Sequence, residues 1–452
     1  MKKFTFLFAT IFFTFLNKVN AQICFAPAVN YSAHNNPFSI TKSDFNGDGF
    51  IDLAIANADA CTGDTVSVLL GNGSGTFSSP YQFSVVPCCC SIVSGDFNND
   101  GNIDLVTAHN AVYRISTLLG VGNGSFLPST SMTVANTPYF IETLDFNGDG
   151  NLDLVSANLS GNSISIFLGN GTGSFTPFNI YTVGMNCTSV AFADFNNDGI
   201  TDLTTGFGGT NFISVLLGAG GGSMNPSTNF TVGTVPFSVT SGKFNNDNFS
   251  DIATISQISG SPFLSILLGN GTGSFTISNY STTILGTHTL RNKDINGDGN
   301  LDLICTEYTN NRVAISLGNG NGTFNNPIFF PVGTSPRALT IADFNGDLKP
   351  DIATANEYSN NSSVLLSCNS LNIFEFTKNI SDFIYPNPTS DLINIKTDID
   401  LFELEIYNSI GQLIKKYSST LIINVKDFAQ GIYWVTLKSK DKFVVNKFIK
   451  SN

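Results

Sequence analysis

The sequence predicts an all-β protein, a seven-bladed β-propeller followed by a small C-terminal β-sandwich, and three observations carry that expectation. A ten-residue segment, in its best copies Asp-Phe-Asn-Gly-Asp-Gly-x-x-Asp-Leu, recurs seven times, beginning at Asp44, Asp96, Asp145, Asp194, Lys243, Asp294 and Asp343. The spacing of 49 to 52 residues suits one four-stranded blade per copy. Between the copies, short apolar runs alternate with glycine-rich turns and no helical periodicity of useful length intervenes. The composition then changes: residues 381–452 hold nine lysines and eight acidic residues, whereas the repeats are nearly free of lysine.

Taken from the start, Lys2 and Lys3 precede an apolar run from Phe4 to Leu16 and the small-residue sequence Val19-Asn20-Ala21. Residues 1–21 are therefore expected to be a signal peptide, too short to span a bilayer. Export fits the eight cysteines, which an oxidising compartment tolerates. The propeller is expected over 22–368, a linker over 369–380 and the separate tail over 381–452.

Within the first repeat, an apolar stretch at Phe38-Ser39-Ile40 leads into the acidic loop. A strand at Asp52 to Ala56 and a third at Val66 to Leu70 follow. The hairpin Gly71-Asn72-Gly73-Ser74-Gly75 then turns into an outer strand near Phe77 to Val85. Near-continuous apolar runs such as Ile164 to Leu168 fit sheets buried on both faces. The glycine hairpins lead into strands, so they are turns and not phosphate-cradling loops.

The two ends are out of phase by one strand. Phe25 to Tyr31 reads as an outer strand, while the seventh repeat stops after Ser363 to Leu366, so the N-terminal strand should complete the last blade. Cys24 and Cys368 flank that junction and are expected to form a disulfide. A bridge from Cys61 to one of Cys88, Cys89 and Cys90 is also expected, with the partner left open.

Of the 26 acidic residues between 22 and 380, 20 fall inside the repeated loops. Outside them acids do not outnumber bases, and no basic stripe interleaved with aromatics suggests nucleic acid. Oxygen donors at alternating positions of a tight turn suit a hard cation with calcium's flexible coordination. The candidate ligands, at positions 1, 3, 5, 7 (through its carbonyl) and 9, are Asp44, Asn46, Asp48, Phe50 and Asp52; Asp96, Asn98, Asp100, Asn102 and Asp104; Asp145, Asn147, Asp149, Asn151 and Asp153; Asp194, Asn196, Asp198, Ile200 and Asp202; Asp294, Asn296, Asp298, Asn300 and Asp302; and Asp343, Asn345, Asp347, Lys349 and Asp351. Without a cation, such adjacent carboxylates repel one another. Position 12 is Ile55 in the first copy and a strand follows, which excludes an EF-hand. In copy five Lys243 and Asn248 replace the first aspartate and the glycine, so its ammonium should neutralise Asp247 and Asp251 and about six Ca²⁺ sites are expected. Copy seven, with Leu348 in place of glycine, should bind more weakly.

These repeats resemble the FG-GAP and VCBS families, calcium-binding blades also seen in integrin alpha subunits, over residues 25–368. The resemblance implies a propeller with calcium in the loop joining each blade's first two strands. In the tail, Tyr385-Pro386-Asn387-Pro388, Leu404 to Asn408, Gly431-Ile432-Tyr433 and Lys447 to Lys450 resemble the type A C-terminal sorting domain of type IX secretion in Bacteroidetes. That resemblance implies the type IX machinery as a partner and a secreted or surface destination.

No metal-ligand spacing joins His34, His109 and His288, and no Gly-x-Ser-x-Gly elbow is present. Glu307 and Glu357, acids outside the loops, are expected at solvated turns. On the face opposite the loops, Phe38, Cys90, Tyr139, Thr188, Phe237, His288 and Arg337 occupy one position of each repeat and should encircle the channel mouth, with Tyr113, Arg114, Tyr308, Arg312 and Tyr358 on nearby turns. Aromatics with arginines suit a sugar or a protein hot spot. The expected function is a non-enzymatic, monomeric binding or adhesion module for a glycan or protein. The alternative is a polysaccharide-active enzyme, such as a lyase using Arg291, His288 or Tyr308, or the accessory domain of one.

Overall fold

The computed structural model describes residues 23–59, 63–256, 263–368, 384–395, 403–408, 412–418, 420–438 and 443–451. The signal peptide, the linker and Cys61 lie outside them. Two compact units divide the chain, 1–368 and 369–452.

Among the described residues, the first unit consists of seven four-stranded antiparallel sheets and a two-residue-wide β-ladder at Gly218–Gly220 and Ser223–Met224. In the first sheet the order is Pro37–Ser43, Asp52–Asn57, Thr65–Leu69 and Tyr81–Ser84, and the other sheets repeat it. The first strand of each sheet lies against the first strand of the next, and Pro336–Ala342 of the last lies against Pro37–Ser43 of the first, so the ring closes.

Burial follows radial position. All seven second strands, for example Asp52–Asn57 and Asp302–Glu307, are buried along their whole length. Both faces of a second strand meet a neighbouring sheet, which is why these runs are nearly continuously apolar. The outer strands, such as Tyr81–Ser84 and Thr130–Thr133, are mostly exposed. The core consists of interblade clusters. One joins Ala54, Ala56, Val66 and Val68 to Ile92, Leu105 and Leu118 of the following sheet.

The last sheet is assembled from both ends of the chain: Val29–Ser32 pairs with Asn361–Leu365, register Val29↔Val364. The strand begins later than Phe25, which makes only an isolated bridge to Ser367. Cys24 and Cys368 are disulfide-bonded, with Cα atoms 5.2 Å apart and a sequence separation of 344, and the Cys368 amide donates to the Cys24 carbonyl at 2.9 Å. Cys88 is disulfide-bonded, whereas Cys89, Cys90, Cys187 and Cys305 are buried free thiols.

The second unit is a small sandwich. Ile384–Tyr385, Leu392–Ile395 and Ile422–Asn424 form one sheet; Leu413–Ser418, Glu403–Asn408, Gly431–Lys438 and Phe443–Lys450 form the other. Ile393, Ile395 and Ile423 from the first meet Leu404, Ile406, Val435 and Phe448 from the second in one core.

Closing so long a loop removes conformational freedom from the unfolded chain. Replacing Cys24 and Cys368 by serine should lower stability by on the order of 5 kcal/mol. Urea unfolding of the two oxidised and mutated chains checks this, with a shift below about 1 kcal/mol counting against a latch.

Candidate functional site

Each acidic loop is held by one buried carboxylate. Asp52 is fully buried; its Oδ2 accepts the Phe45 amide at 2.8 Å and its Oδ1 the Gly71 amide at 2.7 Å. The same pair of bonds recurs at Asp104, Asp153, Asp202, Asp251, Asp302 and Asp351. Position nine thus staples its loop to the hairpin that follows the third strand of the same sheet. In six sheets the hairpin residue is glycine, and a Cβ there would meet a main-chain oxygen, as at Gly71 against Ile51 O at 2.3 Å.

The loop also grips the neighbouring blade. The Phe45 carbonyl accepts the Gly124 amide at 2.9 Å, and the Phe45 ring meets Phe126 edge to face at 5.7 Å. Equivalent pairs are Phe97 with Gly173 and Phe175, Phe195 with Gly273 and Phe275, Phe244 with Gly322 and Phe324, and Phe344 with Gly75 and Phe77. Ile295, the one aliphatic residue at this position, packs in a cluster with Ile23, where the disulfide-closed end replaces the glycine hairpin. The recurring phenylalanines were readable in the sequence, but their pairing across blades was not.

In six loops the position-one aspartate gathers main-chain amides. Asp44 Oδ1 accepts Gly47 and Asp48, at 2.7 and 3.2 Å, and Oδ2 accepts Gly49 at 2.8 Å. Asp96, Asp145, Asp194, Asp294 and Asp343 do the same for their position-five and position-six amides. Leu348 replaces glycine yet keeps the turn at φ +65°, with its side chain 93% exposed. In the same loop the Lys349 ammonium stands 3.9 Å from Asp347.

Copy five corrects one expectation. Lys243 is exposed and takes part in none of the ion pairs found among the described residues, so it does not neutralise Asp247 and Asp251. The loop nonetheless keeps the Asn245 to Asp247 and Asp251 to Phe244 bonds. Its shape therefore rests on the staple and on the bonds that Asn245 and Asp247 make within the loop.

Could these loops hold a cation? Among the described residues, no three His, Cys, Asp or Glu side chains converge to form a metal group by themselves. A shell would thus need asparagine and main-chain oxygens beside the half-buried position-one and mostly exposed position-five carboxylates, an all-oxygen set that fits a hard ion. Electrostatics also favour one. Burial, followed by repulsion from Asp48 and Asp44, raises the Asp52 pKa to about 6 against the stabilising Phe45 and Gly71 amides, and Asp104, Asp302 and Asp351 are raised to about 6 by the same causes.

At the opposite ends of the first strands, a β-bulge interrupts the register in every sheet, between Pro37 and Ser39 in the first and between Pro336 and Ala338 in the last. A bulge redirects the extra side chain. The residues so displaced include all seven expected around the mouth, and they line one cavity of about 340 Å³ bounded by all seven first strands. Phe38 meets Tyr139 at 6.1 Å, Tyr139 meets Phe237 at 6.3 Å and Phe237 meets His288 at 5.2 Å. The Arg337 guanidinium lies 3.9 Å from the Phe38 ring centre.

Outward from this ring, Tyr308 packs on His288 at 4.8 Å and on Tyr358 at 6.1 Å, and Glu357 accepts Arg337 Nε at 2.7 Å and the Tyr308 hydroxyl at 2.9 Å. Tyr358 is 65% exposed. Burial and the Arg337 charge lower the His288 pKa to about 3, so its ring is neutral near pH 7.

Two acids are not at solvated turns. Glu307 ends a fully buried strand, where it pairs with Arg312 and accepts Asn310 Nδ2 and the Leu285 amide; Glu357 is mostly buried beside Arg337. Arg312 stacks 3.5 Å from the Phe329 ring and Arg114 bonds Ser131, so both are committed within their own sheets. Tyr113 and Arg114 do not line the cavity. Of the three residues weighed for proton abstraction, His288 and Tyr308 come together, while Arg291 turns to Glu142 at 3.4 Å across the channel.

With the geometry in place, comparison with known proteins places the chain. Residues 44–107, 96–156, 145–205 and 294–354 match the FG-GAP-like repeat, and 383–451 match the secretion system C-terminal sorting domain. The chain is thus an FG-GAP-like repeat protein with a sorting tail, a secreted β-propeller whose export involves type IX machinery. No curated protein matches it.

Among solved structures, BBS1N from crystals of its complex with ARL6DN soaked with lead has a TM-score of 0.54 at 14% identity, covering 76% of this chain and 98% of that one. The mercury-soaked form gives the same values. A lectin from Agrocybe aegerita that recognises non-reducing terminal N-acetylglucosamine has a TM-score of 0.47 at 17% identity, covering 72% and 86%. These likenesses concern the fold alone. Among the described residues, no helix is long and apolar enough to cross a membrane.

Because copy five keeps its staple, it separates that role from cation binding. Asp251→Ala strands two amides and should cost about 3 kcal/mol in chemical unfolding while leaving bound-metal stoichiometry unchanged. A change in stoichiometry without loss of stability would reverse the assignment.

Proposed function

We propose that the protein is a non-enzymatic binding or adhesion module, engaging a glycan or protein ligand at the channel mouth, on a propeller made rigid by calcium. One observation carries this reading: seven bulged residues converge on a single mouth, and exposed Tyr358 continues it through Tyr308, Glu357 and Arg337. Flat aromatic surface beside a fixed guanidinium offers stacking and directed hydrogen bonds at small entropic cost, as sugars and protein hot spots require. Glu357 holds Arg337 in place before any ligand arrives.

Calcium would be held by the oxygen donors at positions 1, 3, 5, 7 and 9 of six loops, where it supplies positive charge between carboxylates. Copy five lacks the first donor. Calorimetric titration of the chelator-treated protein should return close to six Ca²⁺. The sign of the pH effect follows from the raised aspartates. In the metal-free state, the stability contributed by their protonated forms is present below about pH 4 and is lost as pH rises through about 6. Thermal melts in chelator should therefore fall across that window, and saturating calcium at pH 7 should restore the lost stability.

Screening on a glycan array and against surface proteins finds the ligand. Tyr358→Ala and Arg337→Ala should then weaken binding by about tenfold or more, with Tyr358→Ala leaving the melting temperature unchanged. Intact binding in both variants moves the site elsewhere. New reducing ends or unsaturated products from a bound polysaccharide would instead support the lyase reading.

A further inference from the structure

The interface between the fifth and sixth sheets is filled differently from the other six. Opposite the residue that follows each position-nine aspartate, the third strands carry Leu69, Leu118, Phe167, Leu216, Leu267 and Leu365, but Ser316 in the sixth sheet. Each of the six large side chains packs in the cluster shared with the preceding blade. Ser316 stands two residues beyond Ala314, which packs against the fifth sheet, so alternation along the strand aims it at that interface. It is only 4% exposed, yet among the described residues its hydroxyl has no hydrogen-bond partner.

The outer strand of the fifth sheet changes at the same place. In the other sheets the outer-strand residue paired near the start of the third strand is Phe83, Met132, Tyr181, Phe230, Phe330 or Tyr31, and it plugs the groove to the following blade. Phe83, Phe230, Phe330 and Tyr31 meet Phe126, Phe275, Phe25 and Phe77 at 5.2, 5.1, 5.0 and 5.3 Å. Tyr181 accepts the Met224 amide at 3.0 Å, and Met132 joins the cluster around Phe167. Their counterpart by register is Tyr280, opposite Leu264. Its side chain is 36% exposed and makes no ring contact or hydrogen bond among the described residues.

Two missing fillers leave one cavity of about 450 Å³, whose lining includes Tyr280, Thr283, Ser316, Phe324, Asn325 and Asn326 and no charged residue. That volume lies within the roughly 300–1,000 Å³ of small-ligand pockets. A void walled by apolar side chains alone stays dry, whereas hydroxyls and carboxamides give an occupant partners. We infer that this interblade cavity binds a single neutral pyranose. Such a sugar offers an apolar C–H face to the Tyr280 ring and a rim of hydroxyls to Ser316, Asn325 and Asn326. An ion would find no opposite charge here, and a purely apolar ligand would leave Ser316 unpaired. No residue lines both this cavity and the channel mouth, so the two sites are separate.

Saturation-transfer NMR on the full chain in calcium tests this with methyl glycosides of glucose, galactose, mannose and N-acetylglucosamine, and glucuronic acid as the charged reference. At least one neutral glycoside should show saturable transfer, and glucuronic acid none. Tyr280→Ala should weaken its binding by about tenfold or more. Ser316→Leu, which restores the side chain of most other sheets, should abolish binding without lowering the melting temperature. Tyr81→Ala, at an exposed outer-strand tyrosine of the first sheet, should change nothing. Should Ser316→Leu fail to fold, Asn325→Ala supplies the second readout, with binding weakened severalfold. The inference is overturned if no neutral glycoside binds, if glucuronic acid binds as well, or if folded Tyr280→Ala or Ser316→Leu binds as wild type. A signal lost only in Tyr358→Ala would place the sugar at the mouth and overturn it equally.

Discussion

The buried aspartate at position nine of each repeat is the interaction on which the rest of this propeller depends. A carboxylate taken out of water needs donors, and here it takes two main-chain amides, one from the loop beginning its own sheet's first turn and one from the hairpin after the third strand. In the first sheet those two amides, Phe45 and Gly71, stand 26 positions apart in the sequence. Fixing them together orients the loop before any ion is considered. Copy five shows the separation of roles: it has lost the aspartate that collects loop amides and still carries the staple.

From the staple, order passes around the ring. Position two carries the stapled amide itself; where it is phenylalanine its carbonyl, in five loops, accepts the next blade's hairpin glycine and its ring meets that hairpin's phenylalanine. Five of the seven blades are thereby tied to their neighbours at the loop end, while the first strands abut at the channel. Where the chain's ends meet, a glycine hairpin is topologically impossible, and the Cys24 to Cys368 disulfide stands in its place. A ring assembled this way carries its interblade loop bonds at one face, while the bulged residues at the other differ from sheet to sheet without entering those bonds.

Much of the fold was legible because the repeat is long, regular and bounded by glycine turns. The missing outer strand of the last blade, and with it the cysteine pair, followed from comparing the phase of the two ends. What stayed hidden was the use of individual polar groups. Asp52 and Asp44 look alike in sequence, yet one is sealed in the interior and the other only half-buried; only the packed sheet distinguishes them. Glu307 occupies a place where other repeats carry Asn57 or Asn356, so it reads as a turn residue, whereas the folded sheet buries it against Arg312. The mouth residues could be listed by alignment, but a bulge that leaves them unpaired in the ladder gives no signal in a single sequence. Likewise, the ion pair between Glu142 and Arg291 joins residues 149 apart, beyond the reach of any local pattern.

Hydrogen exchange of the calcium-free protein tests the staple most directly. The account predicts that the position-two and hairpin amides, including Phe244 and Gly269 of copy five, stay protected after chelation, while the amides gathered by Asp44 and its counterparts exchange faster. Equal, rapid exchange of both groups, with protection returning only when calcium is added, would contradict it and make the ion, not the buried carboxylate, the organiser of the ring.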